Sequence, residues 1–346
     1  FLLTGTPVLN RPQELLSQLG LIGRLDEMGG FWEFAKRYCG MKRTRFGLDM
    51  SGASNLEELN EKLRESCFIR RSKKEVLPEL PDKRIAQIHI EIDNRKEYEK
   101  AEIEFLNWLH QHVQEDKKFL AEIAGLPQEE QNRLKQERAD DAVIRARNSQ
   151  QLVKLGHLRR LAVNGKLSAI KTWLEDWKET GEKIVLFGIH TDVVKHLAEH
   201  AECKAMTGAA KLEERQAEVD AFQDDPDHWA TAWNIQVGGV GWTMTAASNV
   251  AFAEYDWTPA MHEQATDRTH RIGQKNSVTA WYFHADNTIE DTFQDILMHK
   301  GAVVAAASDG AGAEISVNLQ SAIISLMASR HNKQASDYLQ KQPLDT

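Results

Sequence analysis

The residues best suited to chemistry are gathered in Gln264-Ala-Thr-Asp-Arg-Thr-His-Arg-Ile-Gly-Gln274. On a helix, Gln264, Asp267, Arg268 and Arg271 fall at i, i+3, i+4 and i+7, which is one face. One face carrying a carboxamide, a carboxylate and two guanidiniums can meet a triphosphate. Arginine suits that task because it stays charged and offers a planar fork of donors. An arginine set against a γ-phosphate stabilises the charge of a phosphoryl-transfer transition state. The plainer reading is a surface helix held by Asp–Arg pairs.

A second segment, Gln236-Val-Gly-Gly-Val-Gly-Trp-Thr-Met-Thr-Ala246, follows an apolar run and is dense in Gly and Thr. Glycine lets a backbone approach a ligand closely. Threonine hydroxyls and free N–H groups can grip phosphates. Gly238, Gly239 and Gly241 lack the spacing of a dinucleotide fingerprint.

Other constellations are weaker. His196, His200 and Cys203 sit at i, i+4 and i+7, but no fourth metal ligand is evident, and a solvated helix explains them better. No metal site is therefore expected. Trp173, Trp177, Trp229, Trp233, Trp242 and Trp257 read as core rather than as a base-stacking surface. No G-x-x-x-x-G-K-[ST] loop occurs, and Gly165-Lys166 lacks both the upstream Gly and the following Ser or Thr. Asp26-Glu27 reads as a pair in a helix or loop.

Taken in order, these segments resemble the Swi/Snf-type ATPases, DNA translocases of helicase superfamily 2. Leu3-Thr-Gly-Thr-Pro7 looks like motif III, and Gly30–Cys39 and Phe68–Leu77 resemble the rest of the first lobe. Leu158–Leu167 with Lys183–Asp192 looks like the entry to the second lobe and motif IV. The Gly/Thr segment resembles motif V, and Gln264–Gln274 resembles motif VI. Asn234-Ile-Gln236 and Ala253–Pro259 are most similar to the annealing-helicase branch.

The resemblance implies ATP and Mg²⁺ as cofactors, with the Mg²⁺ ligands and the phosphate loop upstream of Phe1. On its own the chain would then not turn over. It implies Arg271 and Arg268 as γ-phosphate-facing arginines, with Arg271 the finger, oriented by Gln264 and Asp267. Gly241 and Gly239 would couple nucleotide to DNA. Thr4, Thr6, Thr243, Thr245, Arg159 and Arg160 would contact nucleic acid. Trp242-Thr243 departs from the usual Leu-Asn pair of motif V. The implied partners are double-stranded DNA, held mainly by its backbone, and an N-terminal RecA-like lobe of the same polypeptide. Two alternatives stand beside this reading: a non-enzymatic DNA-binding or regulatory half, and an RNA polymerase-associated translocase of the same architecture.

Several elements must position these residues. Residues 8–75 read as mainly helical, broken at Gly29-Gly30 and Ser51-Gly52. Arg84–Ile92 alternates as a strand. Asn94–Asp141 is charge-rich and helical, with Pro127 at a turn, and Asn148–Lys178 continues helically. Strands are expected at Lys183–Gly188, Ala230–Val237, Asn249–Ala253 and Val278–His284. Helices are expected at Asp192–Glu202, Glu213–Phe222, Gln264–Arg271 and Ile289 to about Lys300. That alternation predicts an α/β fold: a RecA-like lobe with a parallel sheet flanked by helices, carrying a helical insertion and the tail end of a preceding RecA-like lobe.

The expected domains are 1–82 (end of a first lobe), 83–150 (strand and insertion), 151–300 (second lobe) and 301–346 (linker and tail, with a helix at Ile315–Leu326). A start at Phe1 in an apolar run, rather than at Met, fits the downstream piece of a longer chain.

Lys+Arg number 43 and Asp+Glu 52 in 346 residues, for a formal net charge of -9. The net figure conceals structure. Ala142–Leu174 holds seven bases and no acid, whereas Glu91–Asp141 holds 14 acids and eight bases. Basic stripes on an acidic chain are the footprint of a phosphate-backbone binder, or simply solvated helix faces. Three scattered cysteines exclude a disulfide framework, and no apolar run reaches membrane-spanning length. An intracellular location is expected, cytoplasmic or nucleoid in a bacterium or phage and nuclear in a eukaryote.

Overall fold

The structure is a computed structural model and describes residues 2–4, 7–8, 11–44, 47–50, 52–139, 142–239 and 241–294. Thr6, the expected tail 301–346 and the last part of the expected helix beyond Gln294 lie outside the described residues. The N-terminal elements are α1 (Glu14–Leu21), a 3-10 turn at Asp26–Met28, α2 (Gly30–Tyr38), the hairpin β1 (Lys42–Thr44) and β2 (Gly47–Asp49), α3 (Leu56–Ser66) and α4 (Lys73–Val76). Then come β3 (Lys83–Ile90), α5 (Arg95–Ile123), α6 (Gln128–Ala139), α7 (Ala142–Asn164) and α8 (Leu167–Lys178). The remainder is β4 (Ile184–Gly188), α9 (Thr191–His200), β5 (Ala205–Met206), α10 (Leu212–Asp224), β6 (Ala230–Asn234), α11 (Ile235–Gly238), β7 (Asn249–Phe252), α12 (Pro259–Thr266) and β8 (Val278–Ala285). Residues 289–294 are again helical.

Six strands form one sheet in the order β3-β8-β7-β4-β6-β5, and every neighbouring pair is parallel. The fold is RecA-like α/β, as expected. Strand alternation explains how both faces become apolar. Ile184 and Leu186 of β4 point into a core with α8 and α9. Val185 and Phe187 point the other way, into a core with α10 and α12. A third core joins α5 and α7 to Ile289 and Phe293, and a fourth lies among α1, α2 and α3. The tryptophans behave as core: Trp233 is fully buried, and Trp173 and Trp177 stack beneath the α8 face.

Four expectations need correction. The expected helix Gln264–Arg271 stops at Thr266, and the chain turns from Asp267. The hydroxyls of Thr266 and Thr269 bind back to the carbonyls of His262 and Thr266. The Arg268 carbonyl then leaves the helical ladder and accepts from Met244 N at 2.9 Å. The expected strand Ala230–Val237 ends at Asn234, whose side chain accepts from Gln236 N and caps α11. The sheet also gains β5, two residues long and too short to show periodicity, and β3, which pairs along its whole length with β8. Residues 8–75 are not wholly helical, because β1 and β2 form a hairpin within them.

Lys166 lies at the junction of α7 and α8 and is fully buried. Its ammonium donates to the Ala253 and Phe283 carbonyls at 2.8 and 2.7 Å and pairs with Glu290 at 2.7 Å. Gly165 beside it has no room for a side chain, since an added Cβ would lie 2.1 Å from Asn94 Oδ1. The Gly-Lys pair is thus a structural clasp, not a phosphate loop.

Candidate nucleotide-facing site

The Gly/Thr segment runs from the carboxyl end of β6 to the start of β7, and the arginine-bearing turn runs from α12 toward β8. The two are stitched together at several points. Gln274 Nε2 donates to the carbonyls of Thr245 and Ala247 at 3.2 and 2.7 Å, and Arg271 Nη1 donates to Thr243 Oγ1 at 3.1 Å. Arg268 donates through Nε to the Gln264 carbonyl at 3.1 Å and through Nη1 to the Trp242 carbonyl at 3.5 Å. Gly241 holds a backbone φ of +86°, so a side chain there would be strained. Gly239 is buried, and an added Cβ would lie 2.6 Å from the Ile235 carbonyl oxygen.

Charge in this site is partitioned. Both guanidiniums are half-buried, and among the described residues neither is ion-paired with a carboxylate. Burial and, less strongly, the neighbouring Arg271 lower the pKa of the Arg268 guanidinium, while the Asp267 carboxylate acts against them. Asp267 turns instead to two lysines, at 2.8 Å from Lys73 and 3.1 Å from Lys83. Lys73 also donates to the His270 carbonyl at 2.9 Å, and the His270 ring lies 2.6 Å from the Pro81 carbonyl. These contacts hold the turn against α4 and the amino end of β3. Lys73, Lys83 and His270 are the residues that sequence reasoning missed. Lys73 lies in the segment Phe68–Leu77, but nothing in the spacing links it to Asp267, some 190 residues away.

The structure brings together Gln264, Asp267, Arg268, Arg271, Thr243, Thr245, Gly239 and Gly241, and it places three other expected residues elsewhere. Arg159 is turned inward between the rings of Trp257 and Phe293, each 4.8 Å away, and donates to the Tyr255 carbonyl at 2.7 Å. Arg160 is paired with Asp192. Thr4 lies exposed at the N-terminal end of the described chain. Thr245 Oγ1 accepts from Gln223 at 3.3 Å. His196 and His200 stack edge to face at 4.5 Å, and burial pushes the nearby Cys203 thiol up to about 12.

Beneath the turn, His262 of α12 is buried and its Nε2 accepts from Asp256 N at 2.8 Å. An accepting nitrogen must be unprotonated, and burial lowers this pKa to about 4. The folded ring therefore takes up its proton well below the usual histidine pKa of about 6.5. Between those values the unfolded chain binds the extra proton, so stability falls as pH drops from about 6.5 to 4. The expected loss is about 3 kcal/mol across that window. Urea unfolding midpoints of the chain and of His262→Gln measure it; the variant should lose that part of the pH slope.

Residues 165–273 match the helicase conserved C-terminal domain. The fold and this match define a RecA-like lobe of helicase type. Mouse "DNA annealing helicase and endonuclease ZRANB3" is 32% identical over 324 residues, covering 89% of this chain and 27% of that protein. The Drosophila melanogaster "SWI/SNF-related matrix-associated actin-dependent regulator of chromatin subfamily A-like protein 1" is 30% identical over 311 residues, covering 88% of this chain and 36% of that protein. The C-terminal part of the Fun30 ATPase domain aligns with TM-score 0.46 and 16% identity, covering 73% of this chain and 99% of that one. The chain is similar to these Swi/Snf-type, helicase superfamily 2 proteins, and spans roughly a quarter to a third of the length of these two curated relatives. Among the described residues, no helix is long and apolar enough to cross a membrane.

Proposed function

We propose that the chain is the arginine-bearing part of an ATP-driven DNA translocase or remodelling ATPase. The observation that carries this reading is geometric: Arg268 and Arg271 both reach the Gly/Thr segment, at the Trp242 carbonyl and Thr243 Oγ1, with no carboxylate ion-paired to either among the described residues, while Asp267 pairs with Lys73 and Lys83. Two like charges kept together in a half-buried turn repel, and a polyphosphate arriving between them offsets that repulsion. The donors are guanidinium N–H groups, which fit phosphoryl oxygens and leave metal ligation to other residues.

In this reading Arg271 faces the γ-phosphoryl group and Arg268 supports it, with Gln264 and Asp267 setting their orientation. Mg²⁺, bound by residues of the first lobe, would neutralise charge between the β- and γ-phosphates. Residues 1–82 are assigned to the end of that first lobe, 83–150 to a strand and insertion, and 151–300 to the second lobe. Thr243 and Thr245 face the DNA backbone, and Gly239 and Gly241 let their loop shift between nucleotide states. Thr4 and Thr6 link the two tracks. Arg159 and Arg160 reach phosphate only by leaving their present partners. Because phosphate contacts carry no base information, binding is sequence-tolerant and salt-dependent.

Nucleotide hydrolysis by the complete protein, with and without duplex DNA, tests the reading. Duplex DNA of unrelated sequences should stimulate hydrolysis alike, and log affinity should fall linearly with log salt. Failure of duplex DNA to stimulate would contradict it.

A further inference from the structure

At the carboxyl ends of β3 and β8, a second cluster of ligating side chains takes no part in the site described. His89 on β3 and His284 on β8 are register partners, so their rings emerge side by side, with centroids 5.5 Å apart. Asp286 follows directly after β8, and its Oδ1 lies 2.6 Å from His89 Nδ1 and 4.0 Å from His284 Nε2. Asp291 Oδ1 lies 2.6 Å from the same His284 nitrogen. The donor atoms of His89, His284 and Asp286 all fall within 4.8 Å of one another.

We propose that His89, His284, Asp286 and Asp291 form a structural site for a divalent metal of the zinc type. Two imidazoles and two carboxylates are a donor set that Zn²⁺ accepts in tetrahedral geometry, and the two carboxylates balance its charge. Bond lengths near 2.0–2.2 Å place tetrahedral donors about 3.3 Å apart. The 2.6 and 4.0 Å separations from Asp286 bracket that value, while Asp291, now paired with His284 alone, must swing toward His89 and Asp286 to complete the cage. The surroundings also resemble a metal's outer shell. Tyr255 is buried, and its hydroxyl lies 3.1 Å from His284 Nδ1; this fixes the ring and can accept the Nδ1 proton when Nε2 binds metal. Arg95 at the start of α5 donates to the carbonyls of Asp286 and Asn287 at 2.6 and 2.9 Å, which holds the ligand-bearing turn in place.

The site lies at the other end of these strands from the arginine-bearing turn. Lys83 and His89 are six residues apart on one strand, or about 20 Å. A bound ion would cross-link the edge strand β3, and hence the start of α5, to β8 and the turn after it. Its role is to fasten the helical insertion to the lobe, and it is independent of nucleotide.

Calorimetric titration of the chelator-treated chain with ZnCl₂ tests the site. One equivalent should bind. Asp286→Asn and the exposed His89→Ala should abolish measurable binding while leaving the far-ultraviolet circular dichroism unchanged. Tyr255→Phe, which removes only the outer hydrogen bond, should weaken binding by about 10-fold or more. Co²⁺ in place of Zn²⁺ should give the strong visible absorption of a tetrahedral site. The stacked pair on α9 is the rival. Binding that survives His89→Ala but is lost in His196→Ala would overturn the proposal, and so would a chain that takes up no Zn²⁺.

Discussion

Arg271→Ala in the complete protein is expected to lower DNA-stimulated ATP hydrolysis by about 10³–10⁵-fold, with little loss of DNA affinity. Phosphoryl transfer leaves the protein little covalent chemistry, so catalysis is mostly positioning and charge neutralisation. Arg271 is placed for that work. Its Nε is anchored on the Asp267 carbonyl at 3.1 Å and its Nη1 on Thr243 at 3.1 Å, so the fork is pre-set. No carboxylate among the described residues competes for it. Arg268 is tied down more heavily, through the carbonyls of Gln264 and Trp242, and its own backbone carbonyl fastens Met244. Arg268→Ala should therefore reduce both turnover and the integrity of the loop. The conservative change Arg271→Lys should not restore turnover, because an ammonium lacks the planar fork. Steady-state kinetics at saturating DNA, with DNA affinity measured separately, checks this prediction. Near-normal turnover would remove the finger role.

Lys166→Ala is expected to destabilise the chain by about 3–5 kcal/mol, read as a shift in urea unfolding midpoint at constant slope. The ammonium has 0% of its surface exposed and has four acceptors within 2.9 Å: two carbonyls and both oxygens of Glu290. Removing it leaves the buried Glu290 carboxylate without its ion-pair partner and two carbonyls without this donor. Replacing both partners, as Lys166→Met with Glu290→Gln, should cost less than either charge-stranding single change, since no ion is then left buried. The amide of Ala285, which donates to Glu290 Oε2 at 2.7 Å, keeps an acceptor in that double variant. A loss below about 1 kcal/mol for Lys166→Ala would mean that water reaches the pair as it does at an exposed one. The lysine joins the carboxyl ends of β7 and β8 to the helical turn after β8, so its loss should also loosen the edge that carries His284.

The parts of this fold that were legible share one property: their signal is local. The run Ile184–Phe187 is apolar on both sides, and a strand covered on both faces needs just that. The turn at Pro127 between α5 and α6 was marked by its own residue type. The chemistry of Gln264–Gln274 was legible because its types and spacing are unusual. What was not legible depends on partners distant in sequence. No local feature said that Arg84–Ile90 would pair with β8, because an edge strand with an exposed Ile85 has the same alternation wherever it docks. The end of α12 at Thr266 was hidden because the helix is ended by threonine hydroxyls and a bond from Met244, not by Gly or Pro. The lysines that claim Asp267 come from residues 73 and 83, and only the fold puts them there. Arg159 shows the reverse case. As a base in a run free of acids it looked solvent-facing, yet the aromatic rings of Trp257 and Phe293 draw it inside.

The central claim is that Arg271 serves the transition state rather than the bound nucleotide. The most direct measurement is the affinity of the complete protein, on duplex DNA, for ATP and for ADP with aluminium fluoride, which mimics the transferring phosphoryl group. In Arg271→Ala, affinity for ATP should hold nearly level while affinity for the mimic falls by roughly the factor lost in turnover. Equal losses for both ligands, or no loss for the mimic, would contradict the account.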